Sequence, residues 1–135
     1  MNTHPYIRAY LAGIAFPTPA LLFMMTVFIL ARFVYNVHVP VEKAIAFPMA
    51  VIPNAWGFWN VLYVALQKRR HYPIGFHGAF LPLLLVPAGL LMANLLEINL
   101  LTPAMAAAGM PFVIALYYLL WKYLVNFCNH LVGVA

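Results

Sequence analysis

The sequence predicts an all-α, polytopic membrane protein: a four-transmembrane-helix bundle running up, down, up and down, with proline-kinked helices. Three observations lead there. Hydrophobic residues fill 67% of the 135 positions, charged residues only 7%, and mean hydropathy is +0.95. A water-soluble domain of this size needs roughly a quarter of its residues charged to cover its surface. The apolar residues gather into four runs, each meeting the about 20 residues a helix needs to cross hydrocarbon. The connections "VYNVHVPVE", "KRRHYP" and "NLLT" are short enough to force antiparallel neighbours. In lipid every backbone amide must be bonded within its own segment, and no barrel-like alternation of polar and apolar residues is visible.

The first span covers residues 8–33. It follows "MNTHPYIRAY" directly, with no small-residue cleavage site near its end, and reads as a retained helix, not a removed signal peptide. The second covers 43–67, the third 74–98 and the fourth 103–128, so residues 1–135 form a single four-helix domain. Pro17, Pro19, Pro48, Pro53, Pro82, Pro87 and Pro111 fall inside these spans. Each removes a helical hydrogen bond and crowds the carbonyl four residues earlier, so kinks are expected, most severely at "FPTP", 16–19. The repeated "IAFP" at 14–17 and 45–48 is too short to argue duplication in so biased a composition.

Seven Lys and Arg against two acids give a formal charge of +5. In such a chain the excess reports orientation. Lys68, Arg69 and Arg70 form the strongest block and place their loop, with both termini, on the cytoplasmic side; Arg8 and Lys122 agree, while Arg32 and Lys43 oppose. The asymmetry argues against a dual-topology dimer. No basic groove interleaved with exposed aromatics suggests nucleic acid. The single cysteine, Cys128, excludes an intrachain disulfide and leaves the redox compartment unread.

The stretch "NAWGFWNVLYVALQKRRH", 54–71, holds the clearest pattern. At 100° per residue Trp56, Trp59, Asn60, Tyr63, Gln67 and Arg70 share one face, and Phe58, Val61, Leu62 and Ala65 the other, with Asn54 as the exception. A carboxamide in lipid needs a partner, so the polar face should meet another helix or a wet cavity. In the fourth span Ala104, Ala108, Pro111, Ala115, Tyr118, Lys122, Asn126 and Asn129 fall close to one line. Its small residues allow close helix approach. If the two stripes face each other, Trp56, Trp59, Asn60, Tyr63, Gln67, Tyr118, Lys122 and Asn126, joined by His77, enclose an inward-open ligand site. Without a carboxylate it would favour an anion or a lipid headgroup. The same residues also fit an ordinary aromatic belt with Lys122 snorkelling to the interface. On the outer side Glu97 is expected to form a structural ion pair with Arg32, or with Lys43.

Other chemistry finds little footing. His4, His38, His71, His77 and His130 show no HxxxH or HxxEH spacing for a metal. His77 and His130 could meet across adjacent helices, which keeps haem conceivable, and Trp59, Tyr63 and a histidine could hold a quinone; neither cofactor is required. The chain has no serine, and Glu42 and Glu97 are its only carboxylates, so catalysis is not expected. Two function classes remain: an interaction or accessory subunit packing against other membrane proteins or itself in the lipid bilayer, and a binder or transporter of an anionic or amphiphilic molecule.

Overall fold

A computed structural model describes residues 4–67, 71–97 and 102–134. The Lys68, Arg69 and Arg70 block, on which the expected orientation rests, lies outside the described residues. The chain is an all-helical bundle with four helical segments long and apolar enough to cross a membrane: Pro5–Phe33, Val41–Gln67, Ile74–Leu95 and Pro103–Leu131.

Proline divides two of these segments, at Pro17 and Pro82, and lies inside helix at Pro48, Pro87 and Pro111. The first consists of α1 (Pro5–Ile14) and α2 (Pro17–Phe33), and the third of α5 (Ile74–Phe80) and α6 (Pro82–Leu95). Pro5, Pro17 and Pro82 each open a helix, where the missing N–H is one of the donors a helix leaves unpaired anyway. The second segment runs through α3 (Val41–Ala44), a π-helical turn (Ile45–Met49) containing Pro48, and α4 (Val51–Gln67). The fourth opens at Thr102, whose hydroxyl accepts the Met105 N–H at 3.2 Å, and continues as α7 (Pro103–Leu120), a second π-helical turn (Trp121–Val125) and α8 (Asn126–Leu131).

The core lies toward the end of the bundle that holds the chain termini. Ala9, Trp56, Tyr63, Val64, Ile74, Leu81, Leu85, Trp121 and Val125 make one buried cluster. There α1 crosses α4 with almost no space between backbones. A Cβ on Gly13 would stand 2.6 Å from the Trp56 carbonyl oxygen and 2.9 Å from the Gly57 Cα, so the crossing requires glycine on both helices. Close approach of this kind, through small residues, is how helices gain dispersion contacts where no hydrophobic effect separates helix from lipid.

Next to that crossing two carboxamides interlock. Asn60 Nδ2 donates to Asn129 Oδ1 at 2.7 Å, and Asn129 Nδ2 donates to Asn60 Oδ1 at 3.0 Å. Asn60 Nδ2 also donates to the Ala9 carbonyl at 2.7 Å. Both side chains are fully buried. One clamp therefore ties the first, second and fourth segments at a single depth.

At the opposite end Arg32 pairs with Glu42 at 2.5 Å, across the short link joining the first two segments. The expected partner, Glu97, sits just beyond α6, exposed and with a left-handed backbone (φ 55°). Local closure explains the exchange: Glu42 is ten residues from Arg32, and a short loop costs less entropy to close than a contact across the bundle.

Replacing Asn60 by Leu should strand the Asn129 amide and cost about 1–2 kcal/mol. The double change Asn60→Leu with Asn129→Leu should cost less than the sum of the two singles, by at least about 0.5 kcal/mol. Thermal unfolding in detergent measures all three; strictly additive losses would show that the amides do not act as a unit.

Candidate functional site

The polar face of α4 turns inward. Trp56, Asn60 and Tyr63 are buried and Trp59 is half-buried, while Phe58 and Leu62 are exposed. Asn54, the exception in the helical pattern, lies outside the core. It accepts a hydrogen bond from Tyr10 Oη at 2.5 Å and donates to the Ala50 carbonyl at 2.7 Å.

The polar groups of this face are taken up by one another. Trp56 Nε1 donates to Tyr117 Oη at 3.3 Å, and Gln67 Nε2 donates to Tyr63 Oη at 3.0 Å. Trp59 Nε1 donates to the His77 carbonyl at 2.8 Å, while His77 Nε2 lies 2.9 Å from the Trp59 carbonyl, a reciprocal pair joining α4 to α5. The imidazole is walled by aromatic rings, with centroids 4.9 Å from Trp59, 5.3 Å from Tyr63 and 5.8 Å from Trp121. His130, its suggested haem partner, is exposed on α8. Among the described residues no three His, Cys, Asp or Glu side chains converge on a point.

The fourth segment departs from the expected line, and the π-helical turn is the reason. From Tyr117 and Trp121 an unbroken α-helix would carry the inward line through positions 124 and 128. The wider turn adds one residue, so Val125 and Asn129 face inward instead. Asn129 thus reaches Asn60, while Lys122 is exposed with its ammonium 5.6 Å from the Tyr118 ring and 5.4 Å from the Tyr123 ring. Tyr118 is half-buried, its ring against Phe76 at 5.2 Å, and Asn126 is half-buried beside the turn. Asn60 and Lys122, expected to share one pocket, therefore stand apart.

Trp121 replaces Lys122 on the inward line and is fully buried. Its side chain occupies the space where Gly78 lacks a Cβ. No apolar pattern in "WKYLVNF" marks the π turn; the nearest sequence signal is Gly78, which faces Trp121 at its start.

Two open features lie outside this packed cluster. The larger is a cleft of about 660 Å³ among the first three segments and Tyr117. Met24 and Phe28 of α2, Phe47 of the first π turn, Ile52 of α4, and Leu85 and Gly89 of α6 form its apolar walls, with His38 and Lys43 also lining it. None of the nine residues expected to bind ligand lines it. It joins residues of six helical elements and of the link before α3, so no single sequence window contains its pattern.

The second is the uncovered face of α7. Ala104, Ala107, Ala108, Pro111 and Ala115 are all exposed, and only 6% of the most apolar window of the fourth segment is buried. A shallow groove lined by Phe76, Ala79, Pro111, Ile114, Ala115, Tyr118 and Leu119 runs along it.

No protein-family model, no curated protein and no solved structure matches this chain.

Gly78→Ala should cost about 1–3 kcal/mol, because the new methyl overlaps Trp121. Gly109→Ala, where a Cβ meets nothing within 4 Å, should be neutral or stabilising by up to about 1 kcal/mol. Midpoints of thermal unfolding for the two variants check the contrast; equal effects would mean that Trp121 is not seated on Gly78.

Proposed function

We propose that this chain is a non-catalytic integral membrane protein that works by helix packing, as an accessory subunit of a membrane assembly. It crosses the bilayer four times, up, down, up and down, with both termini cytoplasmic. Its partner is another transmembrane helix seated on α7.

The observation that carries this reading is the exposed stripe Ala104, Ala108, Pro111 and Ala115 on the least buried of the four segments. Small residues on a membrane helix let a second backbone approach closely, and none of the described residues covers these four. The grouping of polar side chains points the same way. Asn60, Asn129, Trp56, Trp59 and Gln67 all spend their donors on neighbours within the bundle, which leaves the outer faces apolar. Catalysis would need free nucleophiles or acids, and the chain has no serine and two carboxylates, one of them paired with Arg32. Transport through the stripe shared by Asn60 and Lys122 is the weaker reading. Asn60 is fully bonded and Lys122 exposed.

A photo-crosslinking residue at position 108 should yield an adduct of fixed mass with one protein, another subunit or a second copy of the chain. The same residue in place of Phe23, which is exposed on α2, should yield lipid adducts. Lipid adducts alone at both positions would overturn the subunit reading. For orientation, a cysteine at position 69 in a Cys128→Ala background should be labelled by a membrane-impermeant maleimide only after cells are opened. Labelling of intact cells would reverse the assignment.

A further inference from the structure

The cleft among the first three segments combines apolar walls with one lysine, Lys43, in its lining. Lys43 follows Glu42, but the Glu42 carboxylate is bonded to Arg32, so those two charges cancel. With Arg32 and Glu42 paired to each other, Lys43, which lines the cleft, brings a net positive charge to it. His38 lines the same end and adds a second nitrogen donor. Glu97 follows Leu96 of the opposite wall and is exposed. Solvent screens such a charge far more than it screens one lining a cleft.

The floor continues the design. The Phe47 ring lies 3.3 Å from where a Cβ of Gly89 would stand, so the ring packs against the bare backbone of α6 and the two line the trough together. At about 660 Å³ the cleft falls in the size range of small-molecule sites, and it is open to the outside of the bundle. A cation at the end of an apolar trough selects an amphiphile whose head is negative. Two donors, Lys43 and His38, suit a head with several equivalent oxygens, as a phosphate has. The open side leaves room for a second chain outside the trough.

We propose that this cleft is a binding site for an anionic phospholipid, with the phosphate at Lys43 and His38 and one acyl chain lying over Phe47, Gly89 and Leu85. The site is independent of the helix-packing face on α7, which lies on the fourth segment.

The test is thermal unfolding of the full chain in neutral detergent with added phosphatidylglycerol, phosphatidylcholine of the same chains, or palmitate. At tenfold excess over Kd, phosphatidylglycerol should raise the midpoint by about 4 °C, and phosphatidylcholine by less than half of that. Lys43→Met should erase the difference between the two lipids, and Lys43→Arg should keep it. Gly89→Leu should shrink the rise with both. Lys122→Met, at the other end of the bundle, should change nothing in the comparison. Each variant's midpoint without lipid is read alongside, so a loss of stability is separated from a loss of the shift. Equal shifts with the two lipids, a phosphatidylglycerol shift that survives Lys43→Met, or one lost equally in Lys122→Met would overturn the proposal. A rise with palmitate matching that with phosphatidylglycerol would assign the cleft to free acyl anions instead, and so overturn the phospholipid.

Discussion

Two carboxamides, Asn60 and Asn129, satisfy each other where there is no water to turn to, and the surplus donor of Asn60 goes to the Ala9 carbonyl. Leaving such a group unpaired in an apolar setting costs more than any one apolar contact contributes. The clamp therefore dictates the relative heights of the first, second and fourth segments. It also explains why α1 and α4 touch through Gly13 and Gly57: only with the backbones this close can an α4 side chain reach a carbonyl of α1. The reciprocal bonds between Trp59 and His77 then fix α5 to the same unit.

The bundle divides into two regions of different character. The half nearer the termini is close-packed and contains most of the buried residues. The other half is looser: α2 buries only Pro17 and Met25, and α7 only Ala106. Few buried contacts place an element at the low end of the local stability scale. Both open features, the cleft and the bare face of α7, lie largely in this half. The rigid end holds the fold, and the loose end is where other molecules can be met.

How much of this was legible in the sequence depends on how regular the helix is. Four apolar segments could be read because length and composition suffice for them. The two faces of α4 could be read because that helix runs unbroken from Val51 to Gln67, so 100° per residue holds from Trp56 to Tyr63. In the fourth segment the same rule put Tyr118, Lys122 and Asn129 on one line, and one added residue in the π turn moved Asn129 to the line of Trp121. Proline was read as a source of kinks, yet Pro17 and Pro82 open new helices, a difference that depends on whether the preceding turn closes. Arg32 found its partner in the local link, where Glu42 lay closer along the chain than Glu97. The cleft had no sequence signature, because its lining is gathered from six helical elements and the link before α3, far apart along the chain.

Trp121 is wholly enclosed, and its indole Nε1 has no hydrogen-bond partner among the described residues. Rings of Trp56 and His77 surround it, at 5.6 and 5.8 Å between centroids. An excited indole shifts its emission to longer wavelength by reorienting nearby dipoles, and full burial holds this one away from bulk solvent. The molecule thus carries a chromophore at the junction of α5 with the second π turn whose colour registers whether that joint is shut. Opening the joint would let solvent reach the indole and redden that light.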